Sequence, residues 1–319
     1  MLDREHLKAL FNKAKNNAAL AQPKDSDAII IADKSYCIYH AMFSAWSYVK
    51  KEFGLEDDPD FDPTTNSDFR ESLSKRLNSL IRFAAKTALG ASCKLNNVIF
   101  ATDCSKASIW RNSIYKDYKL PRRIADTSQR PFSFAPVFKH VEEYVIPLFL
   151  EENEGAMDIR ADNAEGDDIA AIVVRSLPKD KEKVLIASDR DYLQLADWPG
   201  LHIVNGFGKM LNLEDESKAK PLVEAGHVLN AKEFLLKKIL MGDKADNIFA
   251  VQPRLGEVKA ARMILDKKEL QKVLKEDAEA NARFELNCKL VDFDYIPERI
   301  VEEVKSKLSE FHGLKQNDD

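Results

Sequence analysis

The chain has 319 residues, of which 45% are hydrophobic and 32% charged, and its formal net charge is −5 at pH 7. This composition is ordinary for a soluble protein with an apolar core, and the lack of any apolar run of about 18 residues excludes a membrane-spanning helix. The four cysteines are scattered without a CxxC pair, which argues against a zinc site or a disulfide scaffold and fits a reducing cytosol. The net charge argues weakly against nucleic-acid binding, unless the acids are concentrated in one site.

The order of the predicted elements favours an α/β fold. Residues 1–26 are polar, lack the apolar segment of a secretion signal, and are expected to form an N-terminal extension. Short apolar strands are predicted at 27–33, 96–103, 183–189 and 201–205, and MDIRADN (157–163) is predicted to form a strand and then a turn. Helices are predicted at 35–50, 69–89, 137–152 and 164–177. This alternation predicts a mainly parallel sheet within residues 27–212, and the charged helical pattern of 213–319 predicts a second, α-helical domain.

Five carboxylates lie within one predicted strand–helix unit. Glu165, Asp167 and Asp168 occupy the start of a helix in AEGDDIAAIVV, and Asp189 and Asp191 follow the apolar run VLIA. Because neighbouring carboxylates repel one another, such a concentration is typical of groups that share a cation. Oxygen-only ligands indicate Mg²⁺ or Mn²⁺ rather than zinc.

Three aspartates end predicted strands: Asp33, Asp103 and Asp189. In open parallel α/β sheets, ligands bind at the carboxyl ends of the strands, so these residues are expected to converge with the acidic helix start. A single strand-end aspartate is more often a helix N-cap, and that alternative stays open for Asp33 and Asp103 taken alone. Together the acids favour a site for two divalent ions about 4 Å apart, which can stabilise both oxygens of a phosphoryl displacement.

A basic and aromatic segment, residues 111–140, follows Asp103. It suits a polyanion whose bases can stack, although a solvated amphipathic helix with its aromatic side chains in the core is an equal alternative. The segment itself is expected to be either an ordered arch or a loop that orders on DNA. Its basic residues are Arg111, Lys116, Lys119, Arg122, Arg123, Arg130 and Lys139.

These motifs, in this order, resemble the structure-specific 5′-nucleases, which include flap endonucleases, the 5′-nuclease domain of bacterial DNA polymerase I and phage 5′→3′ exonucleases. AEGDDIAAIV is similar to the family's E-A-D-D helix start, ASDRDYLQL to S-x-D-x-D-x-x-Q-L, and MGDKADNI to G-D-x-x-D-N. The segment IWRNSIYKDYKLPRR contains the family's Y-K-x-x-R, and residues 287–304 are similar to 5′-nucleases of T-even-like phages. The resemblance implies a PIN-like sheet flanked by helices and a C-terminal domain of the helix–hairpin–helix type.

The resemblance also implies a role for each matching residue. Two sets of acids would bind two Mg²⁺ ions, with Mn²⁺ as the alternative. The first set is Asp33, Asp103, Glu165, Asp167 and Asp168, and the second is Asp189, Asp191, Asp243 and Asp246. Arg111 and Lys119 would contact the scissile phosphate diester and neutralise charge that develops on its oxygens.

Further residues would hold the nucleic acid. Tyr118 would stack on a base near the 5′ end or, equally, pack in the core, and Arg122 and Arg123 would bind the strand. In RLGEVKAARMIL, Gly256 and Lys259 would hold the duplex backbone at a helix N-terminus, with an ordinary charged helix pair as the alternative.

The implied activity is that of a Mg²⁺-dependent 5′→3′ exonuclease and flap endonuclease, which removes RNA primers in phage-type DNA replication. The alternatives are a PIN-like single-strand endoribonuclease and a non-catalytic protein that binds branched DNA. The expected partners are branched or nicked DNA and RNA–DNA hybrids, with a sliding clamp or single-strand binding protein at residues 1–26. A monomer in the host cytoplasm is expected. Lys34 stands where the family often has glycine, and it would form either a salt bridge or a substrate contact.

Overall fold

A five-stranded parallel sheet forms the centre of the protein. The computed structural model describes residues 26–311, so the predicted N-terminal extension lies outside the described residues apart from its last residue. The strands are β1 Ile29–Asp33, β2 Val98–Thr102, β3 Met157–Arg160, β4 Lys183–Ile186 and β5 Leu201–Val204. Their order across the sheet is β3-β2-β1-β4-β5, and every pairing is parallel. The predicted α/β class with a mainly parallel sheet is confirmed.

Helices cover both faces of this sheet. In the central strand, Ile30 and Ala32 pack into one apolar core, whereas Ile29 and Ile31 pack into a second core on the opposite face. Strands that are buried on both faces read as continuous apolar runs, which is how they appear in the sequence. The helices of this part are α1 Lys34–Phe53, α2 Ser67–Leu89, α3 Arg111–Ile114, α4 Leu120–Arg123, α5 Phe134–His140, α6 Ile146–Glu152 and α7 Gly166–Ser176.

Helix α1 begins directly after β1, and Asp33, the last residue of the strand, is its N-cap. The side chain of Asp33 accepts a hydrogen bond from the Tyr36 N–H at 2.9 Å, so this strand-end acid is also a helix N-cap. The helix ends at Gly54, whose φ of 63° places it in the left-handed region that glycine adopts without strain. The structure thus shows Asp33 as an N-cap through Oδ1, while Oδ2 accepts from the Tyr192 hydroxyl at 3.1 Å. Its role as a metal ligand stays a prediction.

The helix predicted at 137–152 consists of three segments. A π-helical turn at Val141–Val145 lies between α5 and α6. Pro147 near the start of α6 has no N–H, and its ring would clash with the carbonyl of Glu143 in a regular α-helix. The wider π-helical turn avoids that clash and lets the helical course continue.

The helical pattern predicted after residue 213 is present. Helices α9 to α12 enclose a core of their own that includes Leu240, Val251 and Met263, whereas α13 returns to the sheet and packs Ile300 and Val304 against the layer of α7. The division of the chain at residue 212 stays a prediction. No helix within residues 26–311 is long and apolar enough to cross a membrane. The helices are α8 Lys220–Ala225, α9 Ala231–Met241, α10 Glu257–Leu265, α11 Lys267–Glu276, α12 Ala278–Val291 and α13 Glu298–Leu308.

Candidate active site

The carboxyl ends of β1 and β2 place two acids beside the start of α7. Asp33 ends β1, and Asp103 follows the last residue of β2. The N–H of Gly166, the first residue of α7, donates to Oδ1 of Asp103 at 2.7 Å. A Cβ at position 166 would lie 3.3 Å from that oxygen, so any larger side chain would press on Asp103. The structure therefore brings the strand-end acids and the acidic helix start together at one edge of the sheet.

Three acids at the start of α7 form one compact group. The carboxylates of Glu165, Asp167 and Asp168 offer oxygens that all lie within 4.8 Å of one another. Glu165 and Asp168 are buried and form a capping box, in which Asp168 accepts from the Glu165 N–H at 3.1 Å. Asp167 is half-buried, accepts from the Asp168 N–H, and has no salt bridge among residues 26–311. Of the three, Asp167 is therefore the acid whose charge is least compensated.

Burial makes ionisation of the central acids costly. The pKa values of Asp33, Glu165 and Asp191 are each raised to about 7, mainly by burial and further by neighbouring carboxylates. A bound cation stabilises the ionised form of such groups. The donor set consists of carboxylate oxygens, which suits a hard divalent ion such as Mg²⁺. The residues present therefore fit a divalent metal site.

The raised pKa of Asp33 predicts how stability depends on pH in the absence of metal. Between its usual pKa of 3.8 and about 7, the folded state holds a proton that the unfolded state has lost, so the free energy of unfolding falls as pH rises through this range. Above about pH 5 we expect this group to contribute a loss of about 3 kcal/mol. Urea unfolding in EDTA at about pH 5 and about pH 8 measures the total loss, to which Glu165 and Asp191 also contribute, and the difference between wild type and Asp33→Asn gives the share of Asp33. Asp33→Asn should flatten the slope, and an unchanged slope would contradict the prediction.

Arg111 is buried against the acids. Its guanidinium is 2% exposed and donates to both carboxylate oxygens of Asp168 at 2.8 and 2.9 Å, and to Glu165 at 3.0 Å. Its Nε donates to the Leu290 carbonyl at 2.8 Å, so all but one of its N–H donors are used. In this structure Arg111 therefore holds the acidic helix start in place. Its contact with the scissile phosphate stays a prediction.

Tyr118 is also buried. Its ring is 3% exposed and packs in an apolar cluster with Ile109 and Leu290. Its hydroxyl donates to Oε2 of Glu165 at 3.0 Å. Of the two roles left open for Tyr118, the structure shows the packing role, and stacking on a base stays a prediction.

Lys119 connects the two acid sets, and Arg122 pairs with the second set. The Lys119 ammonium pairs with Glu165 and lies 3.8 Å from Oδ2 of Asp246, and its backbone N–H donates to the Asp246 carbonyl at 2.9 Å. Arg122 pairs with Oδ1 of Asp246 at 2.6 Å, and its side chain is 48% exposed. Arg123 is exposed and donates to a backbone carbonyl at 2.6 Å. Lys119 and Arg122 therefore place two positive charges beside the acids.

The second acid set combines the turn after β4 with the loop after α9. The carboxylate of Asp189 accepts the Asp191 N–H at 2.9 Å. Gly242, directly before Asp243, has a φ of 66°, and a Cβ there would lie 2.3 Å from the Ile248 carbonyl oxygen. The turn that presents Asp243 therefore requires glycine.

Lys238 joins these two segments and was not among the predicted site residues. Its ammonium lies 2.7 Å from Oδ1 of Asp191 and 2.9 Å from Oδ2 of Asp243. The pKa of Lys238 is raised, because the two carboxylates outweigh the opposing effect of burial. Its position five residues before Asp243 in KKILMGD is the only hint that the sequence offers.

A cavity of about 470 Å³ opens beside Asp103 and Glu165. The predicted arch, residues 111–140, forms much of its wall and is exposed at 121–129. Whether this segment changes on DNA stays a prediction. The cationic side chains that line the cavity are Lys106, Lys119, Arg122, Arg123 and Arg130.

Aromatic rings line the same cavity. The rings of Tyr39 and Phe138 meet edge to face at 5.1 Å, and the Arg130 guanidinium lies 4.6 Å from the centre of the Phe134 ring. Tyr39 and Lys106 were not predicted to belong to the site. Because Tyr39 belongs to α1, which starts directly after Asp33, its proximity to that strand-end acid was the available hint.

Lys34 forms buried salt bridges. Its side chain is 3% exposed, and its ammonium lies 2.7 Å from Glu142 and 2.9 Å from Asp158. Asp158 also accepts a hydrogen bond from the Thr102 hydroxyl. Of the two roles left open for Lys34, the structure shows the salt bridge, which ties β1, β2 and β3 to the π-helical turn.

Gly256 and Lys259 lie at the hairpin between α9 and α10. Gly256 is the N-cap of α10, and a Cβ there would meet nothing within 4 Å. The Lys259 ammonium donates to the side chain of Gln252 at 2.7 Å. The duplex-binding role of these two residues stays a prediction.

A parallel sheet that collects carboxylates at one edge, beside a cationic cavity, is the arrangement expected of a metal-dependent phosphodiester nuclease. A family model described as 5′-3′ exonuclease, N-terminal resolvase-like domain, matches residues 64–223, and the chain belongs to this family. The resemblance predicted from the sequence motifs is thus confirmed, and the protein is an enzyme of the 5′-3′ exonuclease and flap endonuclease class.

Two curated proteins are similar in sequence. Ribonuclease H of Enterobacteria phage T4 is 28% identical over 243 residues, which cover 72% of this chain and 73% of the phage protein. DNA polymerase I of Streptococcus pneumoniae is 27% identical over 172 residues, which cover 54% of this chain but only 18% of the polymerase. The similarity to ribonuclease H therefore extends over most of both chains.

Solved structures of a phage T5 protein share the fold. The T5 D15 protein co-crystallised with metal ions has a TM-score of 0.56 and 18% identity, covering 89% of this chain and 99% of the T5 chain. A variant of the T5 D15 flap endonuclease in complex with DNA and metal ions has a TM-score of 0.54 and 18% identity, covering 89% and 98%. At this identity the comparison establishes the common architecture.

Proposed function

We propose that this protein is a Mg²⁺-dependent 5′→3′ exonuclease and flap endonuclease. Its substrates are the 5′ ends of DNA flaps, of nicks and of RNA–DNA hybrids, and its role is RNA primer removal in phage-type DNA replication. The observation that carries the proposal is the position of the acidic group beside a cavity that contains five cationic side chains. The names of the relatives, ribonuclease H and flap endonuclease, support the same substrates.

The acids would hold two divalent ions. When bound, such ions stabilise the attacking and leaving oxygens of the phosphodiester that is hydrolysed. Asp168 adds negative charge to the first set. Its oxygens already accept hydrogen bonds from Arg111 and Trp110, so its main contribution would be to hold Arg111 in place. The first ion would be held by Asp33, Asp103, Glu165 and Asp167, and the second by Asp189, Asp191, Asp243 and Asp246.

The side chains of the cavity would bind and orient the 5′ strand. Lys119 and Arg122 each pair with an acid of the site and also line the cavity. A phosphate in the cavity would therefore accept hydrogen bonds from both. Their positive charges would neutralise charge on the phosphoryl oxygens beside the acids. Tyr39, Phe134 and Phe138 would offer faces and edges to unpaired bases, which gives binding with little base preference.

The helical region would hold the duplex next to the cleavage site. Gly256 and Lys259 would contact the phosphate backbone at the start of α10. We keep residues 27–212 as the catalytic domain and 213–319 as the DNA-binding domain in this proposal. A sliding clamp or a single-strand binding protein would engage residues 1–26, and the enzyme would act as a monomer in the host cytoplasm.

Cleavage of a flap duplex tests the proposal. The full-length protein is mixed with a duplex that carries a 5′-labelled single-stranded flap, first with Mg²⁺ and then with excess EDTA. We expect short 5′-labelled products with Mg²⁺ and a loss of at least about 1000-fold in rate with EDTA, because the ions supply several kcal/mol of charge stabilisation. Cleavage that persists in EDTA would rule out the metal-dependent mechanism.

Matched substrates separate the alternatives. A nicked duplex whose downstream strand begins with RNA tests primer removal, and the same duplex in DNA is its control. Preferential cleavage of single-stranded RNA without a duplex would favour an endoribonuclease. Tight binding of the flap without cleavage in either Mg²⁺ or Mn²⁺ would favour a protein that only binds branched DNA.

A further inference from the structure

Lys238 occupies the space between two acids of the second set. Its ammonium lies 2.7 Å from Asp191 and 2.9 Å from Asp243, although these acids belong to segments more than 50 residues apart in the chain. The lysine side chain is 20% exposed, and the two carboxylates are 19% and 25% exposed. The contact is therefore a largely enclosed three-membered ion cluster.

The neighbouring lysine shows that this contact is specific. Lys237, the preceding residue of α9, is directed away and pairs with Glu216 and Glu257 at 3.3 Å. Consecutive residues of a helix point about 100° apart, so only one of two adjacent lysines can face a given cluster. Lys238 belongs to the last turn of α9, directly before the turn that presents Asp243.

The two acid sets differ in how their charges are compensated. Of the four acids proposed to hold the first ion, only Glu165 has salt bridges among the residues that the structure describes, with Arg111 and Lys119. Of the four acids of the second set, three have them: Asp191 and Asp243 pair with Lys238, and Asp246 pairs with Arg122. An ammonium and a divalent ion compete for the same carboxylate oxygens, and at a few ångströms they repel each other strongly.

We infer that Lys238 is the resident counter-ion of the second acid set, and that its ammonium has to leave Asp191 and Asp243 before a divalent ion binds there. The inference rests on the second cation site of the proposed function. The second ion consequently binds more weakly than the first, because three of its four proposed ligands are paired with cations, whereas in the first set only Glu165 is. Removing the lysine charge removes the competitor and strengthens binding at the second site only.

Titration of the full-length protein with Mn²⁺ alone, without nucleic acid, tests this inference. Isothermal calorimetry and the electron paramagnetic resonance signal of free Mn²⁺ count the bound ions and give the affinity of each class. Lys238→Met removes the charge and keeps an unbranched side chain. Lys237→Met is the matched control on the same helix, and Asp191→Asn identifies the weaker class.

We expect wild type and Lys237→Met to show one tighter and one weaker class of site. Lys238→Met should tighten the weaker class by about tenfold and leave the tighter class unchanged. An unchanged or weakened second class in Lys238→Met would overturn the inference. Two other results are decisive: wild type shows no weaker class of Mn²⁺ site, or Asp191→Asn leaves the weaker class unchanged. Either result would mean that the second cation site of the proposed function is absent, and it would overturn the inference as well.

Thermal unfolding provides an independent measurement. In EDTA, Lys238→Met should unfold at a lower temperature than wild type, since two partly buried carboxylates lose their counter-ion. Saturating Mn²⁺ should remove most of that difference, because an ion that binds only the folded state stabilises it. A difference of the same size with and without Mn²⁺ would assign Lys238 a purely structural role and overturn the inference.

Discussion

Asp167→Asn is expected to lower the rate of flap cleavage by at least about 1000-fold while the protein remains folded. Asp167 is half-buried among acids and has no salt bridge within residues 26–311, so the amide removes one charge without leaving a cation unpaired. The loss of this negative charge weakens binding of the first divalent ion. Because such an ion supplies several kcal/mol in the transition state, the effect falls on the chemical step.

Single-turnover cleavage and urea unfolding, measured on the same preparation, separate the two effects. Asp162→Asn is the matched control, since Asp162 lies in the turn that leads into α7 and its side chain is exposed. The control should cleave within about twofold of wild type, as surface substitutions usually change little. A rate for Asp167→Asn above about one tenth of wild type would show that this acid does not hold the ion.

Arg111→Met is expected to destabilise the fold by about 3–5 kcal/mol, the usual result of breaking a buried ion pair. The guanidinium satisfies Asp168 and Glu165 at once, and Asp168 is fully buried. Without Arg111, these carboxylates would have to be protonated, or the start of α7 would have to open so that water solvates them. The free energy of unfolding from urea titration in EDTA measures the loss.

Two further variants decide what Arg111 does. Arg123→Met removes an exposed arginine of the same segment and should change stability by less than about 0.5 kcal/mol. Arg111→Met combined with Asp168→Asn should recover part of the loss, because the unpaired charge is gone. If Arg111→Met unfolds like wild type yet cleaves slowly, the residue contacts the phosphate, as the sequence motif predicts.

The convergence of the acids was predictable because it follows from backbone topology. Parallel strands end at the same edge of a sheet, so Asp33 and Asp103 had to lie near the acidic start of α7 once the strands were placed. The apolar runs that define those strands are unambiguous, since each is buried on both faces. Local patterns were sufficient for this part of the site.

The roles of single cationic side chains were not predictable in the same way. Arg111 and Lys119 occupy comparable places in the basic segment, yet one is 2% exposed and the other 17%. The difference depends on the Leu290 carbonyl and on the apolar cluster around Tyr118, both contributed by distant parts of the chain. The role of Lys238 was not predictable for a related reason, because its partner Asp191 lies 47 residues earlier in the sequence.

The ion clusters of the site account for the charge of the whole molecule. The nine predicted metal-binding acids are accompanied by four cations, Arg111, Lys119, Arg122 and Lys238, which leaves five negative charges, equal to the formal net charge of −5. The remainder of the chain thus carries equal numbers of acidic and basic side chains. Two bound divalent ions would cancel four of the five formal charges, so a loaded enzyme would repel a polyanion much less at long range. The electrophoretic mobility of the protein in a native gel should therefore depend on the occupancy of the two cation sites.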